Sequence, residues 1–310
     1  MKNTKLIAFI VGVILIAVVS YVLKIDLFKT TSAPSQEKKI DVIASFYPLY
    51  FFAKQIGGDK ANVSNITPAG AEPHDYELST KDIARIEKAA VLILNGGGLE
   101  AWGDKVQNNL RNKNVVIVTV ADGLITQEVE DKGAIIKDSH IWLDPVLAKK
   151  EAQRIAQAFM KADPGNAVTY KANRQNLENK FDMLDSAFRN GLKMCEQKNI
   201  VTSHAAFGYL ASQYGLKQVA IAGFSPDYEP SPKELGEVVQ FAKNNSVKYI
   251  FFETLVSPKL SETIAKEVGA KTIVFNPLEG LTPEEQSDGK DYFSVQQENL
   301  ANLRIAINCK

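Results

Sequence analysis

Residues 166–194 read NAVTYKANRQNLENKFDMLDSAFRNGLKM, and no helix breaker interrupts them before Gly191. Tyr170, Leu177, Phe181, Leu184, Phe188 and Leu192 recur at helical spacing and make one apolar stripe. At about 1.5 Å per residue the helix would run about 40 Å, longer than the ~30 Å width of a small domain. It therefore predicts a connector between two lobes. A helical connector, unlike one made of loops, predicts little hinge opening.

On both sides of this stretch, short apolar runs alternate with segments of helical periodicity. Strands are expected at Asp41–Phe46, Ala61–Ile66, Val91–Leu94, Val115–Val120, Asn199–Thr202, Gln218–Ile221, Tyr249–Phe252 and Thr272–Phe275. Such alternation predicts an α/β protein, with two parallel-sheet lobes joined by the long helix. The expected division is residues 1–39, an N-terminal anchor or signal with its tether; 40–162, a first lobe; 163–197, the linking helix; and 198–310, a second lobe. Asp144-Pro145, Asp163-Pro164, Ser231-Pro232 and Ser257-Pro258 mark helix starts, each placing a capping oxygen before a proline. Ser231 and Glu234 have capping-box spacing. Gly215 and Gly269 stand where helices should end. No internal sequence repeat is visible.

The 310 residues contain 36 Lys+Arg, 36 Asp+Glu and 45% hydrophobic residues, an ordinary globular composition. Disorder would need fewer apolar residues and more net charge, and a nucleic-acid partner would need a basic excess. Setting aside residues 1–33, which hold Lys2, Lys5, Lys24, Lys29 and Asp26, leaves a net charge of −3.

Residues 6–23 (LIAFIVGVILIAVVSYVL) contain no charge and lie between Lys5 and Lys24. This run sits at the lower edge of the roughly 20 apolar residues of a membrane span and exceeds the usual core of a signal peptide. It is read as an uncleaved signal anchor, with a cleaved signal as the alternative. Either places the rest of the chain outside the cytoplasm. No cysteine lies nearby to carry a lipid. Residues 29–39 (KTTSAPSQEKK) read as a polar tether. Cys195 and Cys309 are the only cysteines. They either pair in an oxidising compartment or remain two unrelated thiols.

His74, His140 and His204 are the only histidines. Each follows a strand or turn segment, where ligands bind in open α/β sheets. One histidine so placed is commonly a surface or core residue. Three of them, drawn from both expected lobes, point to one cleft. Imidazole suits Zn, Cu, Fe and Ni, and the spacings match no local zinc motif, so the fold must assemble the site. A closed tetrahedral site needs a fourth ligand. Glu279 follows the strand Thr272–Phe275 and Glu253 ends Tyr249–Phe252, while Asp288 and Asp291 lie in a polar loop. Trp142 and Phe207 flank two of the histidines and are expected to wall off water or to pack the core.

SFYPLYFFAKQIGG, AEPHDYELS, SHIWLDP, TSHAAFGYLA, SPDYEPSP and NPLEG, in this order, resemble the zinc/manganese substrate-binding proteins of bacterial ABC importers. The resemblance runs from Asp41 to about Leu303. It implies two α/β lobes joined by one long helix, with a divalent metal between the lobes. By position it implies His74, His140 and His204 as metal-binding histidines and Glu279 as the carboxylate of zinc-type members. Members similar to manganese binders have a carboxylate in place of His204. Three nitrogens and one oxygen thus favour Zn2+, with Mn2+ the alternative.

The implied function is capture of the ion and its delivery to a membrane permease with a cytoplasmic ATPase, by a monomer tethered through its N-terminal helix. Because a ligating histidine must be deprotonated, affinity is expected to fall below about pH 6. Competing readings are an extracytoplasmic zinc hydrolase, with Glu279 or Glu253 as general base, and a surface adhesin with a structural metal. The chain departs from the pattern in two places. Residues 126–139 carry acids but no histidine where many members have a histidine-rich loop. The lipid-bearing cysteine of many Gram-positive members is also missing.

Overall fold

A computed structural model describes residues 2–27, 39–131 and 134–310. The first helix, α1 (Lys2–Leu27), forms a compact unit separate from residues 39–310. Its described side chains, at residue 7 and residues 9–21, are mostly exposed and apolar, among them Ile7, Phe9, Ile14 and Ile16. Among the described residues no helix is long and apolar enough to cross a membrane. The expected tether lies outside the described residues except for Lys39.

The first lobe is built on β1 (Ile40–Ala44), β2 (Ala61–Asn65), β3 (Val91–Leu94) and β4 (Val116–Thr119), parallel in the order β2-β1-β3-β4. Around them are α2 (Tyr47–Gly57), α3 (Thr80–Ile86) and α4 (Gly103–Leu110). A two-stranded antiparallel hairpin, β5 (Glu128–Asp131) with β6 (Ala134–Lys137), follows, and then α5 (Pro145–Ala162). The connector is α6 (Ala167–Gly191). The second lobe has β7 (Asn199–Thr202), β8 (Lys217–Ala220), β9 (Tyr249–Phe252) and β10 (Lys271–Val274), parallel in the order β10-β9-β7-β8. Its helices are α7 (Gly208–Gln213), α8 (Pro232–Asn244), α9 (Lys259–Val268), α10 (Pro283–Ser287) and α11 (Tyr292–Ala306). All eight expected strands are present, within two residues at each end. The hairpin was not expected.

Two expected helix starts need correction. The Asp163 carboxylate caps no backbone N–H; it accepts from Tyr170 Oη at 2.6 Å and Asn166 Nδ2 at 2.8 Å, holding a 3-10 turn at Pro164–Asn166 before α6 begins. Ser257 does not cap α9, whose N-cap is Pro258. The other two hold. Asp144 accepts from Val146 N, and Ser231 and Glu234 complete a capping box. Gly269 closes α9 in the left-handed conformation, at φ 69°.

The connector is 25 residues long, about 37 Å at 1.5 Å per residue. Every residue of its predicted stripe is buried. The stripe packs on α2 and α5 of the first lobe and on α11 of the second, and one apolar core runs through both lobes. Phe181 shows how: its ring lies 5.2 Å from Phe52 and 5.8 Å from Tyr292. Hydrogen bonds then cross between the lobes near the strand ends. Gly70 N donates to Leu281 O (3.0 Å), Trp142 Nε1 to Pro277 O (2.8 Å), Tyr292 Oη to Trp142 O (2.5 Å) and Gln296 Nε2 to Leu143 O (3.2 Å). A disulfide joins Cys195, beyond the end of α6, to Cys309, resolving the choice the sequence left open.

Candidate metal centre

The three histidines and Glu279 meet between the lobes. Each offers one ligand atom, all four atoms lie within 4.8 Å of one another, and all four residues are buried. His74 comes from the segment after β2, His140 follows the hairpin, His204 follows β7 and Glu279 follows β10. Glu279 is aimed by an unusual backbone. Leu278 adopts φ 57°, and its N–H donates to Asn276 Oδ1 at 2.7 Å. A non-glycine residue is disfavoured there, and burial of Leu278 in the core holds it in place.

Glu279 Oε1 lies 3.2 Å from Nε2 of each of the three histidines, and the His74 and His140 Nε2 atoms are 3.2 Å apart. A tetrahedron with 3.2 Å edges has its centre about 2.0 Å from each corner, the length of Zn–N and Zn–O bonds, and four of the six donor separations have that value. The remaining Glu279 oxygen is buried and makes no hydrogen bond. The donor set therefore fits a small divalent cation.

Two carboxylates behind the histidines fix their tautomers. His140 Nδ1 donates to Asp138 Oδ1 at 2.8 Å, and His204 Nδ1 donates to Glu253 Oε1 at 2.6 Å. With Nδ1 committed, Nε2 faces the cluster. Glu253, an alternative fourth ligand and general base in the sequence reading, is thus a support for His204, and it is also the acceptor for Ser203 Oγ. Asp288 ends α10 and Asp291 caps α11 through Ser294 N, so neither joins the cluster. Asp138 is itself held. Tyr209 Oη on α7 donates to Asp138 O (3.0 Å) and accepts from Thr126 N and Gln127 N (2.9 and 3.0 Å). Gly208 permits this approach, since a Cβ there would lie 2.8 Å from Asp138 Oδ2.

Electrostatics separate the three imidazoles. Burial disfavours the imidazolium at each. At His74 burial prevails over the Glu279 interaction, and the pKa falls below the usual histidine value. At His140, hydrogen bonds to Asp138 and Glu279 outweigh burial and raise it. At His204 the charges of Glu253 and Glu279 outweigh burial and lift it well above that value. Burial likewise opposes ionisation of Glu279, but His204 and the three imidazole hydrogen bonds prevail and hold the carboxyl well below the usual range.

Three groups at the site escaped the sequence reading. Asp138 had a signal, an acid two residues before a histidine. Glu72 accepts from His74 N through one oxygen (3.3 Å), while its other is buried and makes no hydrogen bond. Burial, then repulsion from Glu279, pushes its carboxyl up to about 10. Phe224 lies against two of the histidines, its ring centroid 4.7 Å from His74 and 5.0 Å from His140. Trp142 does wall the site, 5.1 Å from His140. Phe207 does not; it stacks on Phe275 at 3.8 Å as core.

Two parallel-sheet lobes, a rigid helical connector and a sequestered donor set between the lobes define a solute-binding protein. Residues 42–306 match the family described as "Zinc-uptake complex component A periplasmic". The chain belongs to that family, which comprises solute-binding components of zinc uptake rather than enzymes. It is 40% identical over 290 residues to the high-affinity zinc uptake system protein ZnuA of Bacillus subtilis, covering 90% of this chain and 91% of that one. It is also 40% identical over 277 residues to the zinc-binding lipoprotein AdcA of Streptococcus pneumoniae, covering 86% of this chain but 55% of AdcA. The chain thus spans about half the length of that longer relative. The crystal structure of the Zn(II)-bound ZnuA-like domain of AdcA aligns with a TM-score of 0.76 at 40% identity, covering 87% of this chain and 99% of that domain. The laminin-binding protein Lmb of Streptococcus agalactiae, described as having adhesin and metal transporting activity, aligns at 0.79 and 34% identity, covering 86% and 99%.

Proposed function

We propose that this protein is an extracytoplasmic receptor for zinc that binds the ion through His74, His140, His204 and Glu279 and delivers it to an ABC importer. The observation that carries this reading is the buried set of three Nε2 atoms, each 3.2 Å from one carboxylate oxygen and all within 4.8 Å of one another. Three imidazoles favour zinc over manganese, which takes more oxygen ligands and water. The same closed set argues against hydrolysis, which needs a coordination position open to water. Family membership and the zinc named for the relatives support the cargo and the importer.

The lobes run over 40–162 and 198–310, with 163–197 linking them. The permease with its ATPase is the receiving partner, and a single copy of the chain carries the ion. The uncharged run at residues 6–23 supports a membrane tether through α1. The test is titration of zinc against a competing chelator. His74→Ala, His140→Ala, His204→Ala and Glu279→Ala should each weaken binding by roughly 100-fold or more, since each removes one of four bonds. Unchanged affinity in all four variants would reject the site.

A further inference from the structure

The donor cluster is sealed unevenly. His140, His204, Glu279 and Trp142 have no exposed surface, whereas His74 is 8% and Phe224 7% exposed. Among these groups, only His74 and Phe224 retain exposed surface, and the Phe224 ring lies against the His74 ring there. It meets His74 edge-to-face at 88° and His140 at 60°. His74 and His140 belong to the first lobe, but Phe224 belongs to the second. Its backbone is fixed beside His204, because Ala222 N donates to Ser203 O at 2.7 Å and Ala205 N donates to Gly223 O at 2.9 Å. These bonds continue the β7–β8 pairing past the strand ends and bracket His204. The ring is thus held by the same segment that carries a ligand of the opposite lobe.

A zinc ion satisfied by four protein donors can still lose them when water or a chelator adds as a fifth ligand. A manganese ion, by contrast, needs further ligands beyond four. Both require room beside the donors, and the Phe224 ring takes that room. We infer that Phe224 holds the coordination number of the bound ion at four, and so both slows the exit of zinc and discriminates against manganese. This rests on the reading of the site as a zinc receptor. Phe224 touches two of the ligands, His74 and His140, and acts by filling the space beside them.

Phe224→Ala tests the inference through three readouts. Transfer of bound zinc to excess EDTA, followed by stopped flow, should accelerate roughly tenfold or more. The preference for zinc over manganese in competition should fall by about the same factor. Cobalt(II) in place of zinc should lose the intense visible bands of tetrahedral coordination as water joins the sphere. A side chain that served only core packing would lower the melting temperature without changing the cobalt spectrum. Phe224→Leu keeps most of the volume and should fall between the wild type and Phe224→Ala. If Phe224→Ala does not fold, faster exchange in Phe224→Leu still carries the inference, and wild-type exchange overturns it. Zinc binding with unchanged exit rate and cobalt spectrum in the folded variants overturns the role of Phe224 alone. Failure of the wild-type protein to bind zinc would instead overturn the function on which it rests.

Discussion

Zinc binding near neutral pH should release protons, and more of them than ligands with ordinary histidine pKa values would. The metal needs three Nε2 lone pairs, and in the metal-free protein these atoms are not equally available. Burial keeps the His74 imidazole neutral, so its lone pair costs no proton. His140 and His204 have raised pKa values, because Asp138 and Glu253 accept from their Nδ1 atoms and Glu279 accepts from Nε2. Wherever either is protonated it must give up that proton to the solvent before it can bind, so the dication displaces protons from these two sites. Because the free protein holds the extra protons, affinity rises with pH and falls on acidification through the raised values. Each proton released amounts to about tenfold in affinity, or ~1.4 kcal/mol, per pH unit. The decline therefore begins at higher pH than the value near 6 expected from an unperturbed histidine.

Calorimetric titration of zinc in buffers of different ionisation enthalpy gives the number directly, as the slope of observed enthalpy against buffer enthalpy. Asp138→Asn removes the anion behind His140, so that variant should release fewer protons than the wild type while weakening binding by roughly 10–100-fold. A wild-type release below one proton, or no difference between wild type and Asp138→Asn, would refute this account of the carboxylates.

Two predictions concern the scaffold. Phe181→Ala on α6 removes a ring that touches both Phe52 of the first lobe and Tyr292 of the second. It should cost about 3–5 kcal/mol in urea unfolding, and a loss under 1 kcal/mol would mean that the connector does not pack as described. Glu151 on α5 is fully buried, and neither of its oxygens is hydrogen-bonded. Burial raises its pKa well above the usual carboxylate value, so its contribution to stability is full below the unfolded pKa of about 4.5 and is lost as pH rises through the folded value. Glu151→Gln should therefore raise the melting temperature at about pH 8 and leave it nearly unchanged at about pH 4; equal shifts at both would refute the assignment.

What the sequence revealed depended on whether a feature had a local cause. The central strands β1, β3, β7 and β9 are largely buried and read as mostly apolar runs, and the connector carries its own period. The hairpin has neither signal. Glu128–Asp131 is acidic, and Ala134–Lys137 is largely exposed, so nothing in the pattern demands a strand. Three histidines were conspicuous because there were no others to choose from. The carboxylate was harder, because Glu253 and Glu279 both follow strands of the second lobe. Only the fold shows that one reaches Nδ1 of His204 and the other its Nε2. Phe224 meets histidines distant in the chain and no spacing announces it, whereas Glu72, like Asp138, stands two residues before a histidine.

The two sheets show why the same architecture gives the lobes different duties. Taken in chain order within each lobe, the strands are arranged 2-1-3-4 in both sheets, although no sequence repeat was apparent. The order reverses between the first and third strands, where the carboxyl ends open a crevice. At that point each lobe places a serine after its first strand and a buried glutamate after its third. Ser45 Oγ donates to Glu100, and Ser203 Oγ donates to Glu253. In the first lobe the Glu100 carboxylate is used up locally, by the N–H groups of Asn95 and Gly96 at 2.7 and 2.9 Å. In the second lobe Glu253 instead takes the Nδ1 proton of His204 and turns Nε2 outward. The first lobe must then supply its donors from elsewhere, from the segment after β2 and from the hairpin's exit. Those are His74 and His140, and the inter-lobe hydrogen bonds of Gly70 and Trp142 lie within four residues of them. The segments that join the lobes thus also carry the donors, which is why a rigid connector is compatible with a site made from both halves.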